Sequence, residues 1–212
     1  MKKWMRFTSP LIIACILLSF AFISKEVKVP EALRVTEPKE VLFPKKKTIF
    51  RTDIVEAPFI GRSYIGFKEA LAFKESQGNY FSINTLGYLG KYQFGIGTLQ
   101  LMGVHDSTNF LNSPELQEEV FKTNIARNKW ILRRDIARFA GKNIKGIEIT
   151  ESGMLAAAHL AGAGNVMKYL RTYGGYDVKD AYGTSIAKYM NHFSGYDVSH
   201  VSAKRNPKVS KS

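Results

Sequence analysis

The sequence predicts a mainly α-helical domain carrying one polar, glycine-punctuated loop, and three observations lead there. Leu116, Val120, Phe121, Ile125, Leu132, Ile136 and Phe139 recur at roughly helical spacing. Residues 154–161 are so rich in alanine that a neighbouring helix must pack closely against them. Between them and the N-terminus, FKEALAFKESQGNYFSINTLGYLGKYQFG (residues 67–95) passes from a helical pattern into a run of aromatic, amide and hydroxyl side chains broken by Gly87, Gly90 and Gly95.

The chain begins with Lys2, Lys3 and Arg6 ahead of a run over residues 11–23 that is apolar except for Ser19 and short for a membrane span. Residues 1–24 read as a signal segment, cut after Ala21 in Ser19-Phe20-Ala21, or as a retained membrane anchor. Either sends the rest of the chain outward, because the positive end stays inside. Cys15, the one cysteine, sits in this run, in a stretch Ile12-Ile13-Ala14-Cys15 that resembles a lipoprotein box, and it leaves no disulfide to form within the chain. Residues 25–63 hold Pro30, Pro38, Pro44, Pro58 and the run Lys45-Lys46-Lys47 with no sustained apolar period, the pattern of a linker. Roughly 40 flexible residues reach about 35 Å.

From residue 67, Phe67, Ala70, Leu71 and Glu75 fall on one helix face. A carboxylate there is costly to bury, so it must neutralise, pair with a cation or line a cleft. Ser76-Gln77-Gly78-Asn79 then stops the helix and leaves Glu75 at its mouth, half buried and within reach of a ligand. A carboxyl so placed can keep its proton and serve as a general acid. The loop beyond it, with Asn79, Tyr80, Asn84, Thr85, Tyr88, Tyr92 and Gln93, has the chemistry that binds sugars: aromatic faces for pyranose rings, amides and hydroxyls for ring substituents, glycines for close backbone approach.

Residues 97–104 form a short apolar helical turn under the loop. Ser113 caps a helix with Pro114 in its first turn and Glu115 beside its positive end, running to about Phe139 with Arg127, Lys129, Arg133, Arg134 and Arg138 mostly on the wet side. Gly141 ends it; Thr150 caps the alanine-rich helix, in which His159 lies; a short helix over 165–172 and a last one over 184–193 complete residues 64–200 as one domain. Residues 201–212 read as a basic disordered tail. The net charge of +13 lies mostly outside the domain, since residues 1–63 carry 12 basic and 6 acidic side chains, 64–200 carry 15 and 12, and 201–212 carry 4 and none. That distribution does not support a nucleic-acid groove on the folded part and suits an anionic cell surface.

With these residues in view, ESQGNYFSINTLGYLGKYQFG resembles the catalytic segment of lysozyme-like peptidoglycan-cleaving enzymes, the resuscitation-promoting factors and soluble lytic transglycosylases, in which Glu-Ser-x-Gly is followed by Gly-x-x-Gln. AAAHLAGAGNVMKYL (156–170) is similar to their Ala-Tyr-Asn-Ala-Gly stretch, with His159-Leu160 in place of Tyr-Asn, and Lys91-Tyr92 stands where Leu-Met is usual. The resemblance spans residues 64–197. It implies a lysozyme-like fold of the goose-type or soluble lytic transglycosylase kind, and a single catalytic acid, Glu75, cleaving the β-1,4 bond between N-acetylmuramic acid and N-acetylglucosamine. Thr85, Tyr92, Gln93, His159 and Tyr189 would bind the sugars, Tyr189 matching a late tyrosine that faces the acid. No second acid has a comparable setting, because Asp106, Glu148, Glu151, Asp177 and Asp180 fall in predicted loops or helix starts. The expected partner is therefore the glycan strand, with no cofactor, metal or nucleic acid, in a monomer exported to the bacterial envelope. Hydrolysis by water, and a non-catalytic wall-binding or envelope-assembly module, are the alternatives.

Overall fold

The computed structural model describes residues 60–210, together with Glu31 alone; the expected signal segment or anchor and nearly all of the linker lie outside the described residues. The described part is mainly helical: α1 (Tyr64–Ser76), α2 (Ile96–Met102), α3 (Ser107–Asn112), α4 (Pro114–Phe139), a two-stranded hairpin β1 (Asn143–Ile144) and β2 (Ile147–Glu148), then α5 (Glu151–Ala161), α6 (Ala163–Arg171) and α7 (Ile186–His192). None of these helices is long and apolar enough to cross a membrane.

The helix starts are set by their caps. Ser63, Asp106, Ser113, Thr150 and Ser185 each accept a hydrogen bond from a backbone N–H in the first turn that would otherwise lack a partner. Two elements are not predicted by the sequence pattern. One is α3, with the Asp106 carboxylate accepting from Thr108 N and Asn109 N at 2.9 Å each. The other is the hairpin, which pairs Ile144 with Ile147 around Lys145 and Gly146, both at positive φ as a two-residue turn requires.

The core is built around α5, in which every residue from Ser152 to Ala158 is buried. It packs against α4, α6 and α7. The close neighbour that its alanines demand is α7: a Cβ on Gly153 would stand 2.5 Å from the Met190 carbonyl oxygen, so only glycine admits α7 this near. The long helix α4 turns Val120, Phe121, Ile125, Leu132 and Phe139 inward as its spacing predicts, with Leu116 and Ile136 partly buried at the edge. It also buries polar groups that the pattern hid. Asp135 is clasped by Arg171 through two bonds of 3.0 Å, and Asn128 donates to Asn124 at 2.9 Å.

Both ends of the expected domain need correction. The linker's last residues belong to the fold, since Asp197 N donates to the Arg62 carbonyl at 2.7 Å and Ser63 caps α1. The expected disordered tail is ordered over residues 201–210. Val201 is buried, Lys204 N donates to the Ala126 carbonyl at 3.0 Å, and Val209 N donates to the Met102 carbonyl at 2.9 Å. Two valines among its basic residues give the tail apolar contacts that its charge obscured; residues 211–212 are outside the described range.

Candidate functional site

Glu75 occupies the last turn of α1, which ends because Gln77 and Gly78 both take left-handed backbone at φ 57° and 80°. The chain then folds residues 79–95 into a compact loop. Asn84 Oδ1 accepts from Leu86 N at 2.9 Å and Tyr88 N at 3.0 Å, and Leu89 and Phe94 exchange backbone bonds of 2.9 and 2.8 Å. The buried Gln117 side chain fixes the loop from beneath, accepting from Lys91 N at 2.8 Å and donating to the Tyr80 carbonyl at 2.9 Å. Gly90 makes this fit possible. A Cβ there would meet Gln117 Oε1 at 2.2 Å, on a backbone at φ +76°. Ser76, beside the acid, donates to the Lys91 carbonyl at 2.7 Å and so ties the end of α1 to the loop.

The half-buried Glu75 lines a cleft of about 320 Å³ with Gln93, His159, Asn165, Asp180 and Tyr182, and an adjoining compartment of about 200 Å³ with Lys74, Thr184 and Tyr189. Tyr189, 3% exposed, donates its hydroxyl to Glu75 Oε1. Burial, and then the charge of Glu75 and this hydrogen bond, push the Tyr189 phenol far up, so it stays a donor.

Of the sugar-binding residues expected from sequence, Gln93, His159 and Tyr189 come together around Glu75. Gln93, at φ 50° and 9% exposed, donates through Nε2 to the Gly90 carbonyl at 2.7 Å. Its Oε1 is buried with no partner among the described residues, an acceptor left open beside the cleft. His159 Nε2 lies 2.8 Å from the Tyr92 carbonyl, so that nitrogen carries the proton, and its ring stands edge-on to Phe94. Thr85 is exposed at the loop tip, outside the cleft lining, with Oγ1 3.2 Å from the Tyr182 hydroxyl.

Tyr92 does not bind substrate through its side chain. It is 0% exposed, its ring stacks on Phe121 with centroids 4.1 Å apart, and its hydroxyl donates to both oxygens of Glu118 at 2.9 Å. Lys91 points the same way, away from the cleft: 4% exposed, it lies 2.8 Å from Glu69 and 2.9 Å from Glu118, with Lys68 completing the cluster at 2.6 Å. Burial works to raise the Glu118 carboxyl, but hydrogen bonds from Lys68, Lys91, Tyr80 and Tyr92 outweigh it and hold it at about 2. Burial likewise works to lower Lys91, and its bonds to Glu69, Glu118 and Tyr80 outweigh that and push it up. The pair Lys91-Tyr92 thus braces the loop from behind.

Asp180 is the residue that sequence reasoning passed over, because it sits in a turn. Its Oδ1 accepts from Tyr182 N at 2.9 Å and Thr184 N at 2.7 Å, and the residue lines both compartments beside Glu75. Three of the other four acids set aside with it have plain structural work: Asp106 caps α3, Asp177 accepts from Ala187 N at 3.1 Å, and Glu151 pairs with Lys129 at 2.9 Å. Among the described residues no group of three or more His, Cys, Asp or Glu side chains could hold a metal ion. Set against protein-family models, curated proteins and solved structures, the chain matches none.

Proposed function

We propose that this protein is a lysozyme-like enzyme that cleaves the β-1,4 bond between N-acetylmuramic acid and N-acetylglucosamine in peptidoglycan, with Glu75 as its acid. The observation that carries this reading is a half-buried carboxyl at a helix mouth, in a cleft, with one oxygen held by the Tyr189 hydroxyl. With Oε1 so engaged, Oε2 is the oxygen left to carry the transferred proton. Protonated Glu75 donates to the glycosidic oxygen as the C1–O bond breaks, and positive charge grows at C1. In the lytic transglycosylase route the substrate's acetamido oxygen stabilises that charge. The muramic 6-hydroxyl then attacks C1 and returns its proton to Glu75, leaving a 1,6-anhydro end. Gln93, His159 and Tyr189 orient the sugars and the acid, which is where much of the rate arises when one side chain does the chemistry.

Asp180 supports a second route. A second carboxylate lining the same cleft can activate water for attack at C1, which gives a hydrolysed end instead. Digestion of purified sacculi decides between the two, because an anhydro product is one water lighter by mass spectrometry. Glu75→Gln is expected to abolish muropeptide release while leaving the circular dichroism unchanged; equal turnover by wild type and variant would remove the assignment. Pull-down by insoluble peptidoglycan without soluble product would make the protein a binding module. The setting we propose is the cell envelope, reached through residues 1–24, and export of a periplasmic reporter fused to them tests it.

A further inference from the structure

The two compartments beside Glu75 share five lining residues: Glu75, Asn84, Leu160, Asp180 and Tyr182. They thus adjoin as one groove along the acid. Beside these shared residues the two lips touch. Thr85, next to Asn84, reaches from the 79–95 loop, and Tyr182 reaches from residues 177–185, their hydroxyls 3.2 Å apart although 97 residues separate them in the chain.

The Tyr182 arm is well braced at its base and exposed at its tip. The Asp180 side chain accepts from both Tyr182 N and Thr184 N, Lys179 bridges to Ser185, and Ile186 N donates to the Val178 carbonyl at 3.2 Å. Tyr182 itself is 65% exposed, so no core burial fixes its ring where it lines both compartments.

We propose that the Thr85–Tyr182 bridge is a strap over Glu75 that makes chain-end cleavage the preferred mode. This inference rests on the glycan-cleavage reading. A long polymer cannot drop sideways into a groove roofed at its midpoint; it must enter by an end. Tyr182 and Thr85 are then specificity-determining residues that set the length of the released fragment, without taking part in bond breaking. Because the bridge is exposed, water competes for it and a minority of encounters find the groove open.

The test is the size distribution of soluble fragments from sacculi at early times, read by chromatography as the ratio of longer oligomers to the shortest fragment. Wild type is expected to release chiefly the shortest fragment. Tyr182→Phe, which keeps the ring and removes only the hydroxyl, and Thr85→Val are each expected to raise the ratio roughly three- to tenfold, the range that loss of one hydrogen bond supports. The double variant should match either single one, since both remove the same contact. A ratio unchanged in both variants, or additive effects in the double, overturns the strap while leaving cleavage intact. Absence of any soluble product from wild type removes the cleavage reading and the strap with it.

Discussion

The hydroxyl of Tyr189 on α7 donates to the carboxyl of Glu75 on α1 across 114 residues of sequence. The first and last helices of the described fold thereby meet at one polar contact, inside a cleft whose walls come from the intervening loop and from α5. Tyr189→Phe preserves the ring that packs 4.9 Å from Phe193 and removes only the donor. The bond strengthens as Glu75 gives up its proton and becomes charged, where it contributes roughly 1.5–3 kcal/mol, so muropeptide release is expected to fall about ten- to hundredfold with a smaller loss of stability from the weaker bond to the neutral acid. Initial rates on sacculi beside a thermal melt check both halves of that statement.

Gly153→Ala addresses the contact that seats α7. The added methyl would sit 2.5 Å from the Met190 carbonyl oxygen, against backbone that cannot rotate away. Overpacking of this kind costs about 1–3 kcal/mol. Denaturant unfolding should show the loss, and release should drop further than stability alone predicts, because α7 carries Tyr189.

Tyr92→Phe separates core from cleft. Its ring is wholly buried and only its hydroxyl bonds with Glu118 are lost. The variant is expected to be destabilised by about 1–2 kcal/mol while retaining its activity per folded molecule. A large fall in activity with unchanged stability would restore Tyr92 to the substrate-binding set.

Acid stability depends on Glu118. Its carboxyl is held at about 2 in the fold against an ordinary 4.5, so its contribution is fully present above about pH 4.5 and is lost as pH falls toward 2. A shift of that size corresponds to roughly 3 kcal/mol at most, less whatever solvent screening removes. Denaturation midpoints measured from pH 5 to 2 should decline in wild type, and Glu118→Gln should flatten this part of the curve from a lower starting point.

Ending the chain after residue 200 removes the segment that covers α4 and α2. Val201, the backbone bonds to Ala126 and Met102, and the Lys208 Nζ bond to the Leu101 carbonyl at 2.6 Å are all lost. The shortened protein is expected to melt several degrees lower, as loss of one or two kcal/mol implies; an unchanged melt would return the tail to the disordered class.

Much of the helical framework was legible because its signals are local. Ser113-Pro114 and Thr150 announced their helices, and the 116–139 stripe faces inward as its spacing required. Glu75 at a helix mouth was likewise readable from an apolar face that ends in an acid and a turn. What escaped depends on contacts far apart in the chain. Tyr92 looks like a sugar platform in a polar loop, and nothing nearby in sequence shows that Phe121 and Glu118 claim it. Asp180 looks like an ordinary turn former, and only the packing of residues 177–185 beside α5 brings it to Glu75. The tail was misread because its lysines dominate its composition, while two valines decide where it lies.

Because the proposed acid comes from the first helix of this fold and its phenol partner from the last, the pair comes into being only when the whole domain has closed. A chain still emerging in synthesis, or one clipped before α7, has Glu75 without Tyr189 and a groove without that part of its lining. Assembly order thus acts as a safety catch: the Glu75–Tyr189 pair exists only in the complete fold.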